Sequence, residues 1–296
     1  MLKETSALLL RWSGAPLLVR HTIARTRASI LLYHDPTPAL LDKHLSYLSR
    51  RYNFVSLTQL ADSVRSGDWS PMPPRALAVT LDDGHARNFS LLEVFQRYAV
   101  TPTIFVCTRI VGTMRHFWFR DARDDFETLV ALPDDERLRA LRDKFDFDVE
   151  REYPTEERQA LSAEELAVMS PYVEFGAHTR YHPTLTTCPP SASEREIAGS
   201  KADLEELLKL ECKHFSYPNG DYSDREIELV KRSGYLSART ADAGWNSRST
   251  DPFRLRTTGI GDDASLNMLT LQLSGVRLLR RRAKGSLWRR RSAPVS

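Results

Sequence analysis

Two adjacent carboxylates, Asp82 and Asp83, close the run LAVTLDDGH at residues 77–85, and His178 and His182 bracket the segment HTRYH at residues 178–182. These residue types suit hydrolysis at a metal centre. Two imidazoles and one carboxylate hold a divalent cation and leave positions open for water and substrate, the arrangement of a catalytic zinc site. Two neighbouring carboxylates repel when both are charged, which favours one bound to a cation and the other left as a proton acceptor. Either motif alone is weak, because an acidic pair after a strand is ordinarily a solvated turn or helix cap and an isolated histidine is ordinarily structural. Their joint placement at strand ends makes the metal-site reading the stronger one.

The elements that must position these groups can be read from periodicity. Leu77, Val79 and Leu81 alternate as in a buried strand, and Gly84 permits a sharp exit that leaves both aspartates at the strand end. The apolar run at residues 28–33 stops at His34, and Pro183 disfavours helix at His182, which puts residues 178–182 in a loop after the strand at 173–177. Further strands are expected at 101–108, 237–240 and 253–260, and another ending just before Tyr217. Helical periodicity occupies 40–52, 56–64, 89–98, 193–210 and 224–233, with Ser56 placed as an N-cap. Residues 114–169 are densely charged and helical in spacing, an excursion from the core. Repeated strand-then-helix order argues for parallel strands closed, or nearly closed, into an α/β barrel. His34, Asp82, Asp83, His178, His182 and Tyr217 then all fall just past strand C-termini, where such barrels build their sites.

Composition narrows the function classes. The 296 residues suffice for one large barrel, and three cysteines without a CxxC pair point away from a disulfide framework and towards a reducing compartment. The apolar run at 7–10 is broken by Arg11, so the reading is neither a signal segment nor a membrane span, and the expected location is cytoplasmic, peripheral at the inner membrane. The net charge of +3 is unevenly spread: residues 277–291 carry eight Lys or Arg and no acid, leaving −5 for the rest. That tail, which includes Leu278, Leu279, Leu287 and Trp288, could lie on an anionic membrane surface or be simply solvated. Nucleic acid is a poorer fit, since no second basic stripe accompanies it. The division that follows is an extension at 1–27, a barrel at 28–265 and a basic tail at 266–296.

The motifs resemble those of the NodB-homology polysaccharide deacetylases, carbohydrate esterase family 4. TLDDG at 80–84, HTRYH at 178–182 and FSYPNG at 215–220 match the family's first three motifs in order, and the likeness covers most of residues 29–260. ILLYHD at 30–35 resembles the N-terminal strand of the permuted biofilm poly-N-acetylglucosamine deacetylases. The resemblance implies a distorted (β/α) barrel with a helical insertion at about 114–169 and a divalent-metal cofactor, zinc being the simplest choice. It implies Asp82 as general base, Asp83, His178 and His182 as metal ligands, His34 as general acid and the Tyr217 N–H as an oxyanion donor. The implied partner is an N-acetylated glycan, deacetylated at N-acetylglucosamine-type units; an N-formyl sugar deacylase or a non-catalytic carbohydrate-binding barrel are the alternatives. Tyr181, Pro218 and Trp245 are candidate sugar contacts, with Trp118 and Tyr222 as further aromatic surfaces. One departure stands out: Ser216 occupies the position where many members carry an arginine. Arg256 is the expected substitute partner for Asp82, with Arg254 next.

Overall fold

The structure, a computed structural model, describes residues 2–122 and 125–275. Its frame is a ring of parallel strands. In chain order these are β1 (Ser29–Tyr33), β2 (Asn53–Phe54), β3 (Ala76–Leu81), β4 (Thr103–Val106), β5 (Glu174–Ala177), β6 (His214–Ser216), β7 (Ser237–Ala243) and β8 (Leu255–Gly259). They pair in the order β1-β8-β7-β6-β5-β4-β3, and β1 pairs again with β3 over the full register Ser29 with Leu77 to Tyr33 with Leu81. Seven strands therefore close a barrel, as the strand-helix alternation predicts. β2, only two residues long, is absent from the sequence reading and pads the early edge of β3 before β4 takes over.

Closure explains the composition of the strands. β1, β3 and β4 are buried at every position, so their runs are nearly all apolar, with only the small polar Ser29, Thr80 and Thr103 among them. Leu31, Tyr33, Leu77, Val79 and Leu81 share one core with the helices outside the ring, among them Leu41, Leu45 and Leu48 of helix Pro38–Ser49. Ser56 caps helix Leu57–Ser66 through a capping box with Gln59. The long helix expected from residue 193 begins three residues earlier, at Pro190, whose ring suits the first turn.

Between β4 and β5 the chain makes its excursion. Helices Trp118–Ala122, Phe126–Val130 and Asp134–Phe145 pack around a small core of their own, built on Trp118, Leu129, Leu141 and Phe147. The excursion is fastened to the β3 exit: the Ala86 N–H donates to Gln159 O and the Leu161 N–H donates to Gly84 O, both at 2.9 Å. Residues 2–26, unassigned in the sequence reading, form helices Leu2–Trp12 and Ala15–His21 and a short 3₁₀ turn. Helix Leu2–Trp12 packs on helix Leu266–Leu273, tied by Arg11 to Asn267 and by Ser265 and Asn267 to Glu4. The basic segment 277–291 lies outside the described residues.

At the opposite end of the barrel from the aspartates, His214 is buried between Thr58 Oγ1 and Ser237 Oγ, each at 2.9 Å, with Glu174 nearby bonded to Thr103. Burial lowers the His214 pKa from 6.5 to about 4, so the folded protein holds this ring neutral. The unfolded chain takes up a proton there first on acidification, so this contribution to stability is present above about pH 6.5 and is lost as pH falls towards 4. In His214→Asn the slope of melting temperature against pH between 6.5 and 4 should be shallower than in wild type, as followed by circular dichroism. An unchanged slope would contradict the buried neutral imidazole.

Candidate metal centre and active site

β3 delivers Asp82 and Asp83 to the C-terminal mouth of the barrel, 5% and 3% exposed, and the backbone there departs from strand geometry at once. Asp83 has φ 72° and Gly84 φ 77°. A Cβ at Gly84 would stand 2.8 Å from the Val106 side chain, so this turn combines left-handed backbone with close approach to β4. Left-handed conformations recur at Thr179, His182 and Asn219, each beside the same mouth. Such strained backbone persists only where the surroundings over-determine it, and it collects at functional sites.

The loop after β5 is over-determined in that way. The His182 N–H donates to Thr179 Oγ1 at 3.0 Å, Trp118 Nε1 donates to His182 O at 2.8 Å, and Glu196 accepts from the Arg180 and Tyr181 N–H groups at 2.8 and 3.1 Å. Burial pushes the Glu196 carboxyl up to about 7. His178 Nδ1 is bonded to Ser216 O at 2.8 Å, which turns Nε2 inwards. Both imidazoles then face one oxygen: His178 Nε2 and His182 Nε2 each lie 3.6 Å from Asp83 Oδ1. That oxygen is buried and has no hydrogen-bond partner among the described residues.

An orphaned carboxylate oxygen facing two buried ring nitrogens, with one ligand atom from each residue within 4.8 Å of the others, fits a divalent cation. Burial lowers the His182 pKa to about 3, which keeps the ring in the neutral form a metal requires. At Asp83 burial works to raise the pKa, but the hydrogen bond from His85 and the neighbouring His85, His182 and His34 outweigh it and hold the carboxyl ionised. His85 Nε2 sits 3.1 Å from Asp83 Oδ2 and steadies the ligand from its other side. The sequence reading did not single it out, although its position two residues after Asp83 was a signal.

Asp82 has a different partner. Arg239 Nη2 donates to both Asp82 carboxylate oxygens and to Ser216 Oγ, and the guanidinium lies 5.2 Å over the Phe105 ring. The expected partner, Arg256, is exposed on β8, its backbone bonded to Asn246; Arg254 is exposed and paired with Asp224. Register gives the reason. Ser216 of β6 and Arg239 of β7 are directly paired, so a guanidinium one strand over reaches the place that an arginine at 216 would fill, and the short serine leaves it room. An arginine inside the otherwise small and uncharged run SARTA is the sequence clue to it.

Asp82, Asp83, His34, His178, His182 and Tyr217 converge on one cavity of about 320 Å³, and Phe119, Phe126 and Asn219 also line it. Phe119 meets the His182 ring edge-on at 4.8 Å, so the excursion supplies an apolar wall to the mouth. The aromatic contacts expected from sequence lie elsewhere. Tyr181 turns its hydroxyl to Glu150, Trp245 crowds Gly275, Tyr222 stacks on Tyr217 from outside, and Pro218 is not among the lining residues. Trp118 is committed to His182 O. The Tyr217 N–H is likewise committed, donating to Arg239 O at 3.2 Å in the β6–β7 ladder, so it is not free to serve an oxyanion. Asn219 reaches the cavity on a tight turn whose Gly220, φ 75°, has no room for a Cβ against Ala241 at 2.3 Å.

Residues 70–238 match the family model described as polysaccharide deacetylase, more than half of the chain. The chain belongs to the polysaccharide deacetylase family. That family acts as hydrolases on amide bonds of acetylated polysaccharides. A curated relative, the putative polysaccharide deacetylase YxkH of Bacillus subtilis, is 21% identical over 193 residues, 64% of this chain; the match spans 53% of that protein, about half its length. Among solved structures, the Streptococcus pyogenes deacetylase PplD in complex with acetate superposes with TM-score 0.62 at 18% identity, covering 84% of this chain and 99% of that one. IcaB from Ammonifex degensii gives TM-score 0.62 at 18% identity over 84% and 97%, and the BpsB deacetylase domain from Bordetella bronchiseptica 0.58 at 14% over 80% and 96%. At these identities the likeness supports the deacetylase barrel fold.

Arg239→Met should leave Asp82 buried without its cation and destabilise the protein by about 3 kcal/mol, whereas the exposed Arg256→Met should change stability by less than about 0.5 kcal/mol. Urea unfolding of the two variants checks the assignment, and equal effects would contradict it.

Proposed function

We propose that this chain is a metal-dependent hydrolase that removes N-acetyl groups from an N-acetylglucosamine-type poly- or oligosaccharide or its lipid-linked precursor. The observation that carries the reading is the division of labour between adjacent carboxylates: Asp83 faces two buried imidazoles, and Asp82 faces a guanidinium. A binding barrel would have no use for both arrangements a peptide bond apart.

In this reading Asp83, His178 and His182 hold the divalent metal, zinc being the simplest candidate, and the metal when bound polarises the acetamide carbonyl and acidifies water. Asp82 takes the proton from the attacking water. Arg239 fixes the direction of that carboxylate, and the same nitrogen also contacts Ser216 Oγ. As the carbon–nitrogen bond breaks, the departing sugar nitrogen needs a proton, because an amide anion is a very poor leaving group. His34 lines the cavity and is the candidate donor. Its backbone is held from two sides, N–H to Asp262 Oδ1 at 3.1 Å and C=O from Asn88 Nδ2 at 3.0 Å, so the ring is presented from a fixed stem. Phe119 and Phe126 offer apolar faces against which a sugar ring can pack. The products are acetate and a free amine.

The test is acetate release from N-acetylglucosamine oligomers by protein loaded with zinc. Asp82→Asn should lower kcat by roughly 10³-fold with bound metal retained, and His34→Ala by roughly 10²-fold. His182→Ala should lose both metal and activity. Full activity in Asp82→Asn, or no acetate from a metal-loaded wild type, would overturn the proposal.

A further inference from the structure

The two helices that precede the barrel form a hairpin, Leu2–Trp12 and Ala15–His21, turned at Gly14. Its inner positions, Ala7, Pro16 and Val19, are buried. Its outer positions include the polar Glu4, Thr5, Ser6 and Ser13, but several others are large and apolar, where a solvent-facing helix pair requires polar groups. Leu8, Leu9, Trp12, Leu17 and Leu18 are 43%, 69%, 77%, 52% and 65% exposed, and they make up five of the ten large apolar side chains exposed among the described residues. Concentrated within eleven residues, they amount to a patch and not to the scattered apolar surface every protein carries.

Charge accompanies the patch. Residues 1–27 hold five Lys or Arg against one acid, and Arg25 and Arg27 are exposed. The hairpin packs on helix Leu266–Leu273, and two residues beyond the described Gly275 the sequence enters the eight-cation segment at 277–291. Taking these +4 and +8 contributions from the overall +3 leaves −9 on residues 28–276. In sequence the positive charge therefore lies to either side of the barrel, in the segment that carries the exposed leucines and Trp12 and in residues 277–291, and residues 28–276 by themselves would be repelled by an anionic surface. Exposed apolar side chains on a segment that also carries cations, with a tryptophan among them, are complementary to the headgroup region of an anionic bilayer. They complement nucleic acid poorly, because leucines contribute nothing to phosphate contact. No helix among the described residues is long and apolar enough to cross a membrane, and at 11 and 7 residues these two lie well short of the roughly 20 needed.

We infer that this hairpin is a docking face for an anionic phospholipid bilayer, with Leu8, Leu9, Trp12, Leu17 and Leu18 entering the interface and the flanking arginines meeting lipid headgroups. The face is joined to the catalytic mouth. Glu4, on its first turn, accepts from Ser265 and Asn267, and Asp262, three residues before Ser265, accepts from the His34 N–H. Docking at the hairpin thus holds the mouth close to the bilayer surface, where a substrate displayed on lipid would be met. The inference stands apart from the acyl group removed.

Co-sedimentation of the full chain with phosphatidylglycerol–phosphatidylcholine vesicles and with pure phosphatidylcholine vesicles tests it. Wild type should pellet with the anionic vesicles, and less so at high salt. The triple variant Leu9→Glu, Trp12→Glu, Leu18→Glu, at exposed positions, should bind at least about tenfold more weakly with an unchanged unfolding midpoint, and Arg25→Glu, Arg27→Glu should weaken binding with a reduced salt dependence. Undiminished binding by the triple variant would overturn the inference and assign the contact to residues 277–291 alone. It would equally be overturned if wild type bound no vesicle, or if the patch proved to hold two copies of the chain together, seen as a dimer that the triple variant dissolves.

Discussion

Two carboxylates joined by one peptide bond are buried side by side at the end of a barrel strand, and this constraint organises the molecule. Both cannot remain charged in a desolvated site without separate compensation. The fold meets the requirement with a left-handed Asp83, so that Asp82 is gripped by Arg239, with His178 Nε2 3.8 Å away, and Asp83 faces His85, His178 and His182. Compensation by unlike partners makes the two chemically unlike. A carboxylate gripped by a guanidinium is held in one direction, whereas one facing two imidazoles completes a set of atoms that could hold a metal ion.

The ring of strands supplies these partners from separate parts of the chain. Arg239 comes from β7, the histidines from the exit of β5, His34 from β1, and the apolar wall from the excursion between β4 and β5. Parallel closure brings all the strand exits to one rim, and no single segment could present these groups by itself. The rim is braced by bonds that do not touch the cavity: Glu196 on the loop backbone, Ser216 O on His178, Trp118 on His182, and the 159–161 segment on Gly84 and Ala86. These fix the directions of side chains whose chemistry depends on tenths of an ångström.

Much of this was legible in the sequence because it is written locally. Apolar runs ending in polar residues located the strands of the ring, and Asp82, Asp83, His178 and His182 announced themselves by type and spacing. What the sequence concealed depends on register between strands. Arg239 is adjacent to Ser216 only across the β6–β7 pairing, so a serine where a cation was expected read as a gap, and Arg256, in the next strand, was chosen to fill it. Tyr217 carried a free-looking N–H in the motif that is in fact part of the sheet ladder. Tyr181 and Trp245 stand out in the sequence as aromatic surfaces, while Phe119 and Phe126 lie in a charged insertion whose folding back over the mouth no periodicity reveals. The short β2 and the helices of residues 2–21 lacked the alternation or the length that makes an element visible.

The most direct test of the split between the two aspartates is anomalous diffraction at the zinc edge from crystals of the protein soaked in zinc. The account predicts a single strong peak at about 2.0–2.2 Å from an Asp83 oxygen and from Nε2 of His178 and His182, with Asp82 outside the coordination shell and still paired with Arg239. A peak bonded to Asp82, or an Asp82 released from Arg239 to join the metal, would contradict it.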